Sequence, residues 1–397
     1  MPVNAPLCSH DDSYVTRLYM DRKNDQVLGQ RKDSHVNSSE VTGRPTDANG
    51  IARTYKTVNR KLDVEWESED DYSNDEKTEA VTSVEPPFVI ILTLWRFGSS
   101  ILGQLFNQNK DIFYIFEPLY ATKILSQRYH YTDWALKANQ RDIIRKFSKC
   151  TFRRDFVGLM DAWGGKRNNR AICQSNIACM MQTPSRASDI CKRYGGRLAT
   201  KLIRADLDLL KPLIVDDGIN LKIIHLVRDP RGAAASRIKY RITESGFHNG
   251  LNSAAPDRLQ TLGLFSSTPE TVQTVRGMCQ WIRKNTLLSP ELVPPWLKGR
   301  YHLVRYEDFA DSPLAVTQDL YDFVGLPLRE DVRNWVQSNT NPDTTDNRLF
   351  STHKNSHSAA HHWVRDLKAM EIKRIEAECN DVLRLLNYTS SSNQLLP

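Results

Sequence analysis

The sequence has no hydrophobic run long enough to cross a bilayer. Its longest apolar stretch near the front, Phe88–Trp95, is broken by Thr93, whereas a membrane helix needs about 20 residues. Met1 to Asp12 lacks the basic-then-apolar order of an export signal, so the chain as written is expected to carry neither anchor nor signal. No Gly-x-x-x-x-Gly-Lys-Ser/Thr loop occurs, which excludes a Walker A phosphate site. No Cys-x₂-Cys pair occurs among the 7 cysteines, which argues against a structural zinc site. No basic run is interleaved with aromatics, so nucleic acid is not expected as a partner. Internal repeats are also absent, which excludes a solenoid.

What is present is unevenly spread. Residues 1–86 hold 11 Lys and Arg against 17 Asp and Glu, a net of −6, and residues 87–397 hold 43 against 30, a net of +13. The first segment is polar, without a sustained apolar period, and reads as a disordered acidic stem or tail ending at Pro86-Pro87. The second is basic and should attract an anionic ligand. Residues 391–397 read as a flexible C-terminus. Cys150, Cys173, Cys179, Cys191 and Cys279 cluster in this basic part, either as buried thiols or as disulfides of a secretory compartment. Sequons at Asn37 and Asn387 add little.

The fold begins abruptly. Phe88–Leu94 is a continuous aliphatic run, as expected of a central parallel strand covered on both faces. A helix should follow over 99–107, then strands at 112–116, 221–227 and 301–304, with helices over 314–324 and 367–386. Strands alternating with helices predict an α/β fold, a mostly parallel sheet with helices on both faces. Residues 120–220 and 240–300 look less regular and read as substrate-recognition insertions.

Two strand ends carry chemistry. Trp95-Arg96-Phe97-Gly98-Ser99-Ser100 joins the first strand to the first helix. Gly98 permits a tight turn, the helix start offers unpaired amides and a positive dipole end, and Arg96 adds a fixed charge. The strand 221–227 runs into Arg228-Asp229-Pro230-Arg231-Gly232, then Ala233-Ala234-Ala235-Ser236. Asp229 and Pro230 suit a helix start, and Arg228 would sit at the carboxyl edge, where open α/β sheets place ligands. Ser236 would lie about two turns into that helix, facing the cleft. Two anion-friendly strand ends suit a ligand with phosphates at both ends.

Here a family resemblance becomes specific. Leu-Gly-Gln-Leu-Phe-Asn-Gln (102–108), Phe-Tyr-Ile-Phe-Glu-Pro-Leu-Tyr (113–120), His-Leu-Val-Arg-Asp-Pro-Arg-Gly (225–232), Arg-Tyr-Glu-Asp-Phe (305–309) and Leu-Asn-Tyr (386–388) resemble landmarks of the Golgi carbohydrate 6-O-sulfotransferases. These enzymes act on galactose, N-acetylglucosamine or N-acetylgalactosamine. The resemblance covers about residues 87–389 and implies a P-loop-like sulfotransferase domain over 87–390. It also implies 3′-phosphoadenosine-5′-phosphosulfate (PAPS) as donor and a glycan or proteoglycan as acceptor. By that similarity residues 95–101, Ile101 included, would hold the 5′-phosphosulfate, and residues 228–236 the 3′-phosphate through Arg228 and Ser236. It further implies a Golgi-luminal, membrane-associated enzyme with disulfides, although this sequence shows no span. The family has Ser or Thr where this chain has Phe97, so weakened donor binding, relieved by Phe97→Ser, is expected.

Sulfuryl transfer needs positive charge at the leaving oxygen and a base for the acceptor hydroxyl. Arg96 is the candidate for the first role. Glu117, at a Phe-Glu-Pro corner that should hold it extended, is the candidate for the second. His225, inside an apolar strand, reads as a core residue. His353, His357, His361 and His362 lie in a Ser/Asn-rich stretch without a neighbouring acidic cluster, so they read as a polar loop over the ligand, and no metal is expected. Trp363 and Arg365 could line the site. The competing functions are a nucleotide kinase or other phosphoryl transferase, and a PAPS- or glycan-binding protein with weakened catalysis.

Overall fold

The computed structural model describes residues 85–163, 165, 168–173, 180–244, 258–265, 272–341 and 351–389. The expected stem over 1–86 lies outside them except for residues 85 and 86, as do the C-terminal residues 391–397, Asn37 and Cys179. No helix among the described residues is long and apolar enough to cross a membrane.

A five-stranded parallel sheet organises the chain. Its strands are β1 (Phe88–Leu92), β2 (Phe113–Phe116), β3 (Leu198–Leu202), β4 (Leu221–Val227) and β5 (Tyr301–Arg305), in the order β2-β3-β1-β4-β5. The α/β fold class read from the sequence is the observed one. Every residue of β1 and β2 is buried, as a sheet covered on both faces requires, whereas β5 at the edge is mostly half-buried.

β3 was hidden in the sequence. Leu198-Ala-Thr-Lys-Leu202 is short, and Thr200 and Lys201 break its apolar run, yet all five residues are buried. Two interactions make burial of these polar groups tolerable. Thr200 Oγ1 donates to Ile115 O at 2.7 Å, and Lys201 finds a carboxylate. Residues 120–220 are also more regular than expected. They hold helices Tyr120–Tyr129, Asp133–Ser148, Arg154–Ala162, Pro184–Lys192 and Leu207–Val215 as well as β3. Their apolar faces are narrow and interrupted by charges, which masked the helical period.

Among the described residues, disulfides Cys150–Cys191 and Cys279–Cys379 tie distant elements. The second joins helix Val275–Asn285 to helix Ala369–Leu385, whose regular geometry breaks at Cys379. Because all strands are parallel, all their carboxyl ends meet at one edge. The chain leaves β1 toward β2 on one side, and β4 lies on the other. That reversal opens a crevice between the ends of β1 and β4.

Candidate functional site

That crevice is the mouth of a cavity of about 1080 Å³, lined from the ends of β1, β2, β3, β4 and β5. Its floor is the turn after β1. Gly98 has φ 86°, and a Cβ there would lie 2.2 Å from the Tyr306 ring, so only glycine fits. Gly98 precedes helix Ser99–Asn107, which has no side-chain cap and no acidic residue in its first turn. Its amino end is therefore suited to an anion. Arg96 has φ 69° and Glu117 φ 44°, and such strained conformations of non-glycine residues concentrate at functional sites. The extended conformation expected for Glu117 is thus not adopted. The turn into helix Tyr120–Tyr129 begins at this residue, with Tyr120 N donating to Glu117 O at 2.9 Å.

The two predicted strand ends meet. Arg96 Nε donates to Ser236 Oγ at 2.9 Å. Arg228 donates to Arg96 O at 3.0 Å and to Ala359 O at 2.9 Å, and its guanidinium lies 4.5 Å from the Tyr306 ring centroid. Its buried Nε has no protein partner. Arg237 is 1% exposed and is held by the backbone oxygens of Trp95, Val272 and Gln273. Among the described residues neither Arg228 nor Arg237 forms an ion pair. Burial, then Arg228, pushes the Arg96 guanidinium down to about 10. Burial, then Arg241 and Arg96, pushes Arg237 down to about 9. Like charges gathered out of water favour the approach of an anion.

The run 228–236 contributes only its ends to the cavity wall. Pro230, Gly232, Ala233, Ala234 and Ala235 are buried in packing, and Asp229 and Arg231 serve the fold. Arg231 pairs with Asp229 and with Glu376, both at 2.7 Å, and stacks on Trp363. Adjacent arginines with and without carboxylates thus have different work. Phe97 also departs from expectation. It is 0% exposed, in the core, and absent from the cavity wall, so only its backbone can face a ligand. Trp95, Ser99, Ser100 and Ile101 do line the cavity.

Sequence reading missed Lys201. Its Nζ lies 3.0 Å from Glu117 Oε1 and 3.3 Å from both Ser99 Oγ and Ser100 Oγ, and it is 2% exposed. Burial lowers its pKa while Glu117 opposes the shift. Arg204 holds the other Glu117 oxygen at 2.9 Å. The usable signal was a lone lysine in an apolar stretch, followed by Arg204 three residues on. His225 is fully buried, hydrogen-bonded through Nδ1 to Tyr301 Oη at 2.7 Å, and pushed down to about 3 by burial. It is a core residue. The opposite wall includes Lys354, Asn355, Ser356, Ser358, Ala359, His362 and Arg365, so the histidine-rich stretch does border the cavity. His353 and Trp363 do not line it.

Several known proteins are similar to this chain. A family model described as "Sulfotransferase domain" matches residues 86–386. Mouse carbohydrate sulfotransferase 3 is similar at 30% identity over 336 residues, 76% of this chain and 67% of that protein. Human carbohydrate sulfotransferase 6 is 30% identical over 335 residues, 76% and 80% of the two chains. Among solved structures, the sulfotransferase domain from the curacin biosynthetic pathway aligns at 16% identity over 77% of this chain and 98% of that one. Its TM-score is 0.37, too loose a likeness to bear on the site.

Proposed function

The chain belongs to the sulfotransferase domain family, and from that premise we propose that it transfers a sulfuryl group from PAPS to the 6-hydroxyl of a galactose, N-acetylglucosamine or N-acetylgalactosamine residue in a glycan chain. The observation that carries this reading is the meeting of the two strand ends beside the uncapped amino end of helix Ser99–Asn107, with Arg96 Nε on Ser236 Oγ and Arg228 on Arg96 O. A donor with phosphate at both ends suits two such anion-friendly strand ends. The amides after Gly98, with Arg96 and Lys201, receive the 5′-phosphosulfate. Arg228 and Ser236 receive the 3′-phosphate.

The residues divide the chemistry as follows. Glu117 takes the proton of the acceptor hydroxyl, and the freed oxygen attacks sulfur. The bond from sulfur to the 5′-phosphate oxygen breaks, and the negative charge left on that oxygen is met by Arg96 and Lys201. Lys201 is placed to couple the two events, because one ammonium touches both Glu117 and the serines of the loop. As charge builds on the leaving oxygen, Lys201 shifts toward it and releases the carboxylate to hold a proton. The step consumes one acceptor O–H and yields a sulfate ester and 3′-phosphoadenosine-5′-phosphate (PAP). Its disulfides suit an oxidising compartment, and the Golgi lumen is the setting we assign.

The test is labelled PAPS offered with a panel of desulfated glycans, followed by analysis of the labelled position. Label on a sugar 6-hydroxyl is the expected result. Label at another position, or none with any acceptor, overturns the assignment.

A further inference from the structure

The stretch holding His353, His357, His361 and His362 has no acidic cluster nearby in sequence; Asp366 pairs with His362, and folding brings a more distant carboxylate to His357 and His361. Asp311 ends helix Tyr306–Asp311, forty-six residues before His357, and the two elements pack together. Asp311 Oδ1 lies 2.6 Å from His357 Nδ1 and 3.6 Å from His361 Nε2. His357 and His361 stand four residues apart on helix Ser356–His361, so their rings share one face, with centroids 4.7 Å apart. One ligand atom from each of the three residues falls within 4.8 Å of the others.

The geometry points to a divalent-cation site of the zinc class formed by Asp311, His357 and His361, which pins one wall of the donor cavity. Two imidazoles and a carboxylate are borderline ligands. They suit zinc, nickel, cobalt or copper, whereas magnesium and calcium prefer all-oxygen shells. Ring nitrogens and a carboxylate oxygen each sit about 2.0–2.2 Å from zinc, so neighbouring donors must approach within roughly 3.5 Å of one another. Asp311 and His357, hydrogen-bonded at 2.6 Å, must part slightly to admit the ion, and His361, 3.6 Å from the same carboxylate oxygen, joins them by a side-chain movement. Three protein ligands leave a fourth position for water.

The surroundings hold the site in place. Ser356 Oγ, buried, donates to Ala310 O at 2.7 Å, fixing the start of the histidine helix beside Asp311. Asn355 caps the same helix by accepting from Ser358 N at 2.9 Å. This helix also reaches the cavity, where Ala359 O accepts from Arg228 Nη2. An ion on its outer face therefore braces the segment that orients the 3′-phosphate arginine. Any preference of the ion for the donor-bound conformation must appear reciprocally in donor affinity.

The experiment is calorimetric titration of chelator-treated full-length protein with zinc chloride alone, with magnesium chloride as a second arm. Asp311→Asn, His357→Gln and His361→Gln are titrated beside the wild type. Their side chains are largely exposed, and circular dichroism verifies the fold of each variant. One zinc site, weakened about tenfold or more by each substitution and unmatched by magnesium, is the expected result. A zinc-induced rise in melting temperature that disappears in the variants should accompany it. No zinc binding overturns the assignment, and so does binding that all three variants retain at wild-type strength.

Discussion

Replacing Lys201 by Met separates two roles of one buried ammonium. Met keeps most of the side-chain volume and removes the charge. In the folded protein the change deletes the 3.0 Å contact to Glu117 Oε1 and leaves Arg204 on the other carboxylate oxygen at 2.9 Å. Breaking a buried pair costs about 3–5 kcal/mol when the remaining charge is uncompensated. Arg204 keeps the cost near the lower end, about 3 kcal/mol. For a domain of this size that corresponds to a fall in melting temperature of roughly 6 °C. Turnover should fall further than stability explains. Losing one preorganised donor at a developing charge costs about 10²–10³ in kcat. The assay is initial-rate transfer from labelled PAPS, at a temperature where thermal melts show the variant fully folded. The double variant Glu117→Gln/Lys201→Met distinguishes the roles, because removing both charges should restore much of the stability and none of the turnover. If folded Lys201→Met protein turns over at the wild-type rate, the coupling assigned to this residue is wrong.

Two further outcomes follow from the same geometry. Phe97→Ser should leave PAP affinity within about twofold of wild type while lowering stability by about 3–5 kcal/mol, the usual cost of emptying an aromatic site in a core. Calorimetry and thermal melts check the pair, and a large gain in PAP affinity would show that residue 97 faces the donor. His225 makes stability depend on pH. Its folded pKa of about 3 lies below the unfolded value of about 6.5, so only the unfolded chain takes up a proton between those values. The stabilisation is complete above pH 6.5 and is lost as pH falls, by about 2 kcal/mol at pH 5. His225→Gln should shrink the difference in denaturant midpoint between pH 7 and pH 5, and an unchanged difference would refute the assignment.

The sequence revealed elements whose burial is unbroken. β1 and β4 read correctly because nearly every residue in them is apolar, and the helix after Gly98 because its start is marked by a glycine turn. β3 escaped because its polar residues are satisfied by β2 and Glu117, partners that only the folded sheet brings near. Lys201 escaped with it. The orientation of Phe97 also could not be read in advance. It depends on positive φ at Arg96 and Gly98, the residues on either side of it, which break the strand alternation and turn the ring into the core. The run 228–236 looked uniform, and its division into ligand-facing ends and a packed middle depends on Glu376, far along the chain. The cavity wall from residue 351 onward was recognised as polar, while its acidic partner Asp311 was invisible by sequence proximity.

The account stands on a donor held between two strand ends, and the direct test is comparative calorimetry of PAP and adenosine 5′-phosphate, which differ by the 3′-phosphate alone. Wild-type protein should prefer PAP strongly. Ser236→Ala and Arg228→Met should each narrow that preference, Arg228→Met by about 10–100-fold, since a hydrogen bond to a charged group contributes about 1.5–3 kcal/mol. Affinity for adenosine 5′-phosphate should change little in Ser236→Ala. Equal binding of the two nucleotides by wild-type protein, or a preference untouched by both substitutions, would contradict the two-ended site.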